Sequence, residues 1–285
     1  MSRFLIVTAD DFGLHPAVNE AVEQASRAGA LNCASLMVAE PAAADAVRRA
    51  HNLPSLRVGL HLVLADGHSV LDSERIPALV NAEGQFGNRM FVDGVRYFAM
   101  PAVRQQLEAE IRAQFEAFAA TGLVLDHVNA HKHFHLHPTL LSMMLRIGSE
   151  YGLGGCTAGM RVPAEPLWAA HGSSILLAPL FALMKHRLRR AGVPYNDYVF
   201  GMADSGKMSE DRLLQILGRL PPGISEIYLH PATQSGTEIA VSMNGYKHTS
   251  DLEALMSPRV YAAMAVMTAN GLSRGGYSDL AAVRR

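Results

Sequence analysis

Among 285 residues there are only two cysteines, Cys33 and Cys156, and a single tryptophan. Two thiols so far apart are too few for a disulfide framework and wrongly spaced for a zinc knuckle, so a reducing cytoplasm is the expected setting. Charge of one sign is also lacking. Lys and Arg number 25 against 26 Asp and Glu, which leaves no basic excess to neutralise a run of phosphates and argues against nucleic acid as a partner. Long hydrophobic runs are missing as well: the longest, Ile175 to Met184, falls well short of the roughly 18 to 20 residues of a membrane span. The opening Met1 to Val7 carries one positive charge, and Asp10 and Asp11 follow with no small-residue cleavage site. It reads as a first strand rather than a signal peptide.

What is present suits a large core. A chain that is 49% hydrophobic and 18% charged can fold as one α/β domain over residues 1–285. Short aliphatic runs alternate with helical patterns, the signature of a parallel sheet with helical crossovers. The clearest strands are 4–9, 33–38, 57–63, 125–129, 160–162 and 226–230. Helices are expected from Pro16 to before Gly29, from Pro101 to Gly122, and over 138–151, 210–220 and 258–270. In the second of these Val103, Leu107, Ile111, Phe115 and Phe118 recur at three- and four-residue steps, marking one buried face. The fold class expected is a (β/α) barrel-like arrangement of parallel strands. Residues 65–100 are too long and too rich in Gly and Asp for a simple connector, and read as an inserted flap.

Polar residues gather where strands end, which in such folds is the active-site rim. The first strand runs into Asp10-Asp11, the third into Gly59-Leu60-His61, the central one into Asn129-Ala130-His131, and a late one into Leu229-His230-Pro231. Two adjacent carboxylates at the end of an apolar strand are costly unless a cation shares the site. Successive residues point in different directions, so one Asp can bind an ion while its neighbour addresses the bound water; alternatively either acid simply caps the helix near Pro16. Five of the thirteen histidines fall between His127 and His137. Period-two alternation would set His131, His133, His135 and His137 on one face if the strand continued. A catalytic zinc-type ion takes about three protein ligands, so most of these rings are not ligands. His131, nearest the strand end, is the favoured one, and His135 and His137 read as hydrogen-bonded supports. One Asp with His61 and His131 makes a mixed N/O site for one divalent ion, with Zn, Mg, Mn, Co, Ni and Fe not distinguishable.

With Thr8-Ala-Asp-Asp-Phe-Gly13, Gly59-Leu-His61, His131-Lys-His-Phe-His-Leu-His-Pro138 and Leu229-His-Pro231 in this order, the chain resembles the YdjC-like carbohydrate deacetylases. The resemblance implies a barrel-like deacetylase fold, Asp11, His61 and His131 as metal ligands, and Asp10 as catalytic base. Where many relatives carry Asp-Ser, this chain has Asn129-Ala130, and Pro231 is followed by Ala232 where many have Gly. The stretches 160–166 and 246–258 look most like the branch associated with hopanoid biosynthesis, whose substrate is an N-acetylglucosaminyl hopanoid. The expected reaction is hydrolysis of an N-acetyl group, with His230 protonating the departing amine and Arg161 binding a substrate oxygen or, equally, closing a salt bridge. Expected partners are an acetylated amino sugar, lipid-linked in that branch, with a peripheral contact at the inner membrane surface and a homodimer left open. The alternatives are a metal phosphoesterase or other amidohydrolase, disfavoured by the lack of a phosphate loop, and a non-catalytic sugar- or metal-binding protein, disfavoured by the second acid. In 174–190 an apolar stretch runs into Lys185, Arg187, Arg189 and Arg190. This reads either as a core helix with a basic last turn or as a greasy lid with cations for anionic headgroups.

Overall fold

The computed structural model describes residues 3–155, 157–169 and 176–280. Cys156, Ser174 and Ile175 lie outside the described residues. Among the described residues the apolar runs form eight parallel strands: β1 (Arg3–Phe12), β2 (Cys33–Leu36), β3 (Arg57–Leu62), β4 (Leu125–Ala130), β5 (Gly159–Met160), β6 (Tyr198–Phe200), β7 (Gly223–Leu229) and β8 (Leu272–Arg274). Their order across the sheet is β5-β4-β3-β2-β1-β7-β6, with β8 pairing the first residues of β1. Central β1 is buried throughout beyond Arg3, as expected of a strand covered on both faces.

The sheet curls until its edges meet. Met160 bridges Tyr195, its N–H donating to the carbonyl of Pro194 at 2.9 Å. Just beyond, the amide of Asn196 stands in for a strand. Its Oδ1 accepts from the N–H of Val162 at 2.7 Å, and its Nδ2 donates to the carbonyl of Val162 at 2.8 Å. The barrel-like arrangement of parallel strands is therefore present, and its closing seam is short.

Around the sheet lie α1 (Pro16–Arg27), α2 (Ala43–His51), α3 (Met90–Ala99), α4 (Pro101–Ala120), α5 (Pro138–Gly148), α6 (Ala178–Arg190), α7 (Glu210–Leu217), α8 (His248–Met256) and α9 (Pro258–Ala269). Prolines open α1, α4, α5 and α9, where the missing N–H is no loss. All five residues of the apolar stripe in α4 are buried. Residues 65–100, expected as an inserted flap, lie between β3 and α4. They include α3 and are held to α4 by side chains: Glu110 accepts from the N–H groups of Val70 and Leu71, and Gln106 from that of Ala78. Among the described residues no helix is long and apolar enough to cross a membrane.

Candidate metal centre and active site

The carboxyl end of β1 is irregular, and the irregularity builds the site. Between Ala9, opposite Ala34, and Phe12, opposite Leu36, the register with β2 slips. Asp11 sits there with φ of 63°, a left-handed conformation that is uncommon for a side chain larger than Gly and that marks constrained, functional backbone. A bulge of this kind re-aims side chains at a barrel rim. Asp10 and Asp11 are both almost wholly buried there.

Asp11 Oδ1 lies 3.2 Å from Nε2 of His61 at the end of β3 and 3.2 Å from Nδ1 of His131 just past β4. The two ring nitrogens are 3.4 Å apart. Among the described residues neither carboxylate oxygen of Asp11 has a partner in hydrogen-bond geometry, and Nε2 of His131 is likewise unsatisfied. Buried polar atoms are rarely left so. Three ligands about 2.0–2.1 Å from a shared centre would stand roughly 3.3–3.4 Å from one another in a tetrahedral site, so the triangle fits a divalent ion. The second nitrogen of His61 supports this. Nδ1 lies 2.7 Å from Oδ1 of Asn129; that carbonyl oxygen accepts the ring hydrogen and leaves the Nε2 lone pair facing the triangle. Against the upward push of burial, the imidazoles of His131, His61 and His230 hold the Asp11 carboxyl well below its ordinary range.

Asp10 faces a different partner. Arg161, beyond β5, is fully buried; its Nη2 donates to Asp10 Oδ1 at 3.0 Å and its Nη1 to Oδ2. On its other side the guanidinium donates to both oxygens of Glu226 in β7, from Nε at 2.9 Å and from Nη2 at 2.8 Å. Thr8 and Tyr277 also donate to Glu226, each at 2.6 Å, and the ring of Tyr228 lies under the guanidinium at 4.4 Å. Burial pushes the Asp10 carboxyl up, but Arg161 and His61 hold it far below the ordinary range. Arg161 thus stands behind Asp10 and away from the cavity. Of its two expected roles the salt bridge is present, to Asp10 and to Glu226, and the residues lining the cavity do not include Arg161.

The histidine cluster does not continue as a strand. Lys132 and His133 take left-handed backbone, φ of 54° and 56°, and the chain turns into a short 3₁₀ segment. The rings scatter accordingly. Nε2 of His133 lies 2.9 Å from the Tyr228 hydroxyl, and Nε2 of His135 donates to the carbonyl of Arg161 at 3.1 Å. Burial pushes the His135 ring down to about 3, keeping it neutral. His137, half-buried, precedes α5. His230 completes the rim: its Nε2 is 3.9 Å from Asp11 Oδ2, its ring packs on Tyr228 and Tyr246, and its backbone N–H donates to Asp251 at 2.9 Å. Burial lowers its pKa.

A cavity of about 170 Å³ opens over these groups, bounded by Asp10, His61, His131, His230 and Tyr246. Lys132, His133 and Met202 line both this cavity and a neighbouring apolar groove of about 600 Å³. The groove's walls are Phe91, Val95 and Phe98 of α3, with Leu177 and Leu180 at the start of α6. Phe91 is 85% and Phe98 69% exposed, which is unusual for side chains of that size. The basic end of α6 is partly tied down: Lys185 donates to the carbonyl of Asp197 and Arg187 to that of Pro138, while Arg189 and Arg190 are exposed. Glu226, Tyr228, Ser35 and Tyr246 were not among the site residues expected from the sequence. A charged residue inside the buried run Ile224 to Leu229 was the one available signal for a buried cationic partner.

Fold and site together define a barrel-like α/β protein with its chemistry at the carboxyl ends of parallel strands. The profile of the YdjC-like protein family matches residues 4–265, and the chain belongs to that family. It is 30% identical over 266 residues to a carbohydrate deacetylase of Geobacillus stearothermophilus, covering 93% of this chain and 94% of that protein. It is 32% identical over 256 residues to a carbohydrate deacetylase of Brevibacillus brevis, covering 88% and 90%. A structure described as a cellobiose-phosphate cleavage protein of Enterococcus faecalis V583 superimposes with a TM-score of 0.75 at 23% identity, over 98% of this chain and 99% of that one. This likeness concerns the fold.

Proposed function

We propose that the protein is a metal-dependent hydrolase that removes the N-acetyl group from an acetylated amino sugar. One observation carries the reading: the carboxylate of Asp10 borders the same small cavity as His61 and His131, beside the unsatisfied Asp11. The activity of the curated relatives supports it. Asp11, His61 and His131 would hold one divalent ion, which when bound lowers the pKa of its water and polarises the acetamide carbonyl.

The chain's own groups supply the rest. Asp10 takes the proton of the attacking water. Against the upward push of burial, Arg161 holds that carboxyl below its ordinary range and fixes its rotation, at some loss of basicity, so the proton is readily passed on. His230, which lines the same cavity, protonates the leaving amine; burial favours its neutral ring, so the proton it delivers is the one Asp10 took from the water. Tyr228 and Tyr246 pack on that ring and hold its orientation. Acetate release from N-acetylglucosaminyl substrates, with and without chelator, tests the reading: no release, or release indifferent to chelator, removes it.

Within this reading the substrate is lipid-linked, in line with the resemblance to the hopanoid-associated branch. The groove shares three residues with the catalytic cavity and is walled by exposed Phe91 and Phe98. An apolar aglycone attached to a sugar in the cavity would lie there, and exposed Arg189 and Arg190 would face anionic headgroups.

A further inference from the structure

A second cluster, Cys33, Asp126 and His127, brings potential metal-ligand atoms close together. Its hydrogen bonds point elsewhere. Ser35 Oγ lies 2.9 Å from Asp10 Oδ1, 2.9 Å from His127 Nε2 and 3.0 Å from Asn129 Nδ2. A hydroxyl has one hydrogen and two lone pairs. Ionised Asp10 can only accept, so the hydroxyl hydrogen goes to Asp10, and both lone pairs are filled by hydrogens on Asn129 and on Nε2 of His127. On the far side of that ring, Nδ1 is 2.9 Å from Asp126 Oδ2. Asp126 already accepts from the N–H of Tyr277 at 3.1 Å, the N–H of Ser278 at 3.0 Å and the hydroxyl of Ser278 at 2.6 Å. It is an acceptor throughout, so Nδ1 carries a hydrogen as well. The ring is seated by design of the sheet: a Cβ on Gly59 would fall 2.5 Å from it, and Tyr277 packs against it at 5.3 Å.

We propose that Asp126, His127 and Ser35 are a chain of positioning residues that fixes the carboxylate of Asp10 and selects the oxygen that takes the proton. The inference rests on the deacetylase reading. With Ser35 held by His127, Asp10 Oδ1 accepts from Ser35, Asn129 and Arg161, whereas among the described residues Oδ2 accepts only from Arg161. Oδ2 is thus the atom with a lone pair left for the water. Neither Asp126 nor His127 borders the cavity, so they act through Ser35.

The test uses Ser35→Ala, His127→Leu and the double variant of the metal-loaded enzyme. Each single change should lower kcat about 10- to 100-fold, with KM and bound metal unchanged, and the double variant should be no slower than the slower single. Unchanged kcat, a loss confined to KM, or losses that multiply would overturn the chain. Because His127→Leu can fail to fold, the wild type is also read directly by nitrogen-15 NMR of its histidine rings. Two protonated nitrogens on the His127 ring, with the Nε2 signal displaced in Ser35→Ala, are expected. A singly protonated ring overturns the proposal even if no substrate is turned over, which separates it from failure of the deacetylase reading.

Discussion

Asp10 and Arg161 form a two-pronged, almost wholly buried ion pair, and the same guanidinium grips Glu226 from behind. The carboxyl ends of β1 and β5 and the middle of β7 are thereby joined through one side chain. Removing one partner of a buried pair leaves the others charged and unpaired, which typically costs about 3–5 kcal/mol. Arg161→Ala should lose stability of that order by denaturant unfolding. Arg161→Lys should lose less but still unfold early, since an ammonium cannot span both carboxylates. A loss under about 1 kcal/mol in the Ala variant would mean that Asp10 and Glu226 do not depend on this cation.

The Asp11–His61–His131 triangle makes a prediction separable from that of Asp10. Replacing any one of the three with Ala removes a third of a small ligand set, and bound metal should fall together with activity. Asp10→Asn should instead retain metal while turnover drops by about 10²-fold or more. Elemental analysis of the purified variants decides it. Full occupancy in a ligand variant removes that residue from the set, and near-normal turnover of Asp10→Asn returns Asp10 to a structural role.

The strand ends were legible in the sequence because a parallel strand buried on both faces must change abruptly from apolar to polar where it reaches the rim. Asp10-Asp11, His61, His131 and His230 all follow such runs. The path after His131 was not legible. Alternation assumes extended backbone, and left-handed turns at Lys132 and His133 leave no periodic trace. Three-residue strands such as β6 and β8 carry too little pattern to separate from a loop. In α3 the apolar side chains Phe91, Val95 and Phe98 face the groove rather than the core, so the amphipathic pattern was masked. Arg161 and Glu226 are 65 residues apart, a pairing that only the curl of the sheet determines.

Asp251 gives a pH dependence with a definite sign. It accepts the N–H groups of Met208 and His230, each at 2.9 Å, and burial pushes its carboxyl up from 3.8 to about 7. Between those values the folded chain holds a proton that the unfolded chain has released. Its contribution to stability is therefore fully present below about 4 and is lost as pH rises to about 7. Asp10 and Asp126 are held low and act with opposite sign, in a window below about 4. Urea unfolding of wild type and Asp251→Asn across this range isolates the effect. The wild type should lose stability relative to the variant as pH rises, and parallel curves would show that Asp251 is already ionised.

The apolar groove yields the sharpest division between substrates. Phe91 and Phe98 stand exposed on α3, opposite Leu180 of α6, and water covers them when the groove is empty. Seating a lipid there would bury each ring. One such side chain taken fully out of water contributes about 1.5–3 kcal/mol, equivalent to roughly ten- to a hundredfold in kcat/KM. Phe91→Ser and Phe98→Ser should each weaken turnover of a lipid-linked N-acetylglucosamine by about that factor. Turnover of a short soluble N-acetyl amino sugar, which reaches only the cavity of about 170 Å³, should stay close to the wild-type rate. Both rings sit on the surface, so the changes leave the core untouched, and thermal unfolding should move little. Equal losses on both substrates would mean that α3 supports the catalytic loop at Lys132 and His133 rather than the aglycone. No loss on either would leave the groove without a part in recognising this substrate.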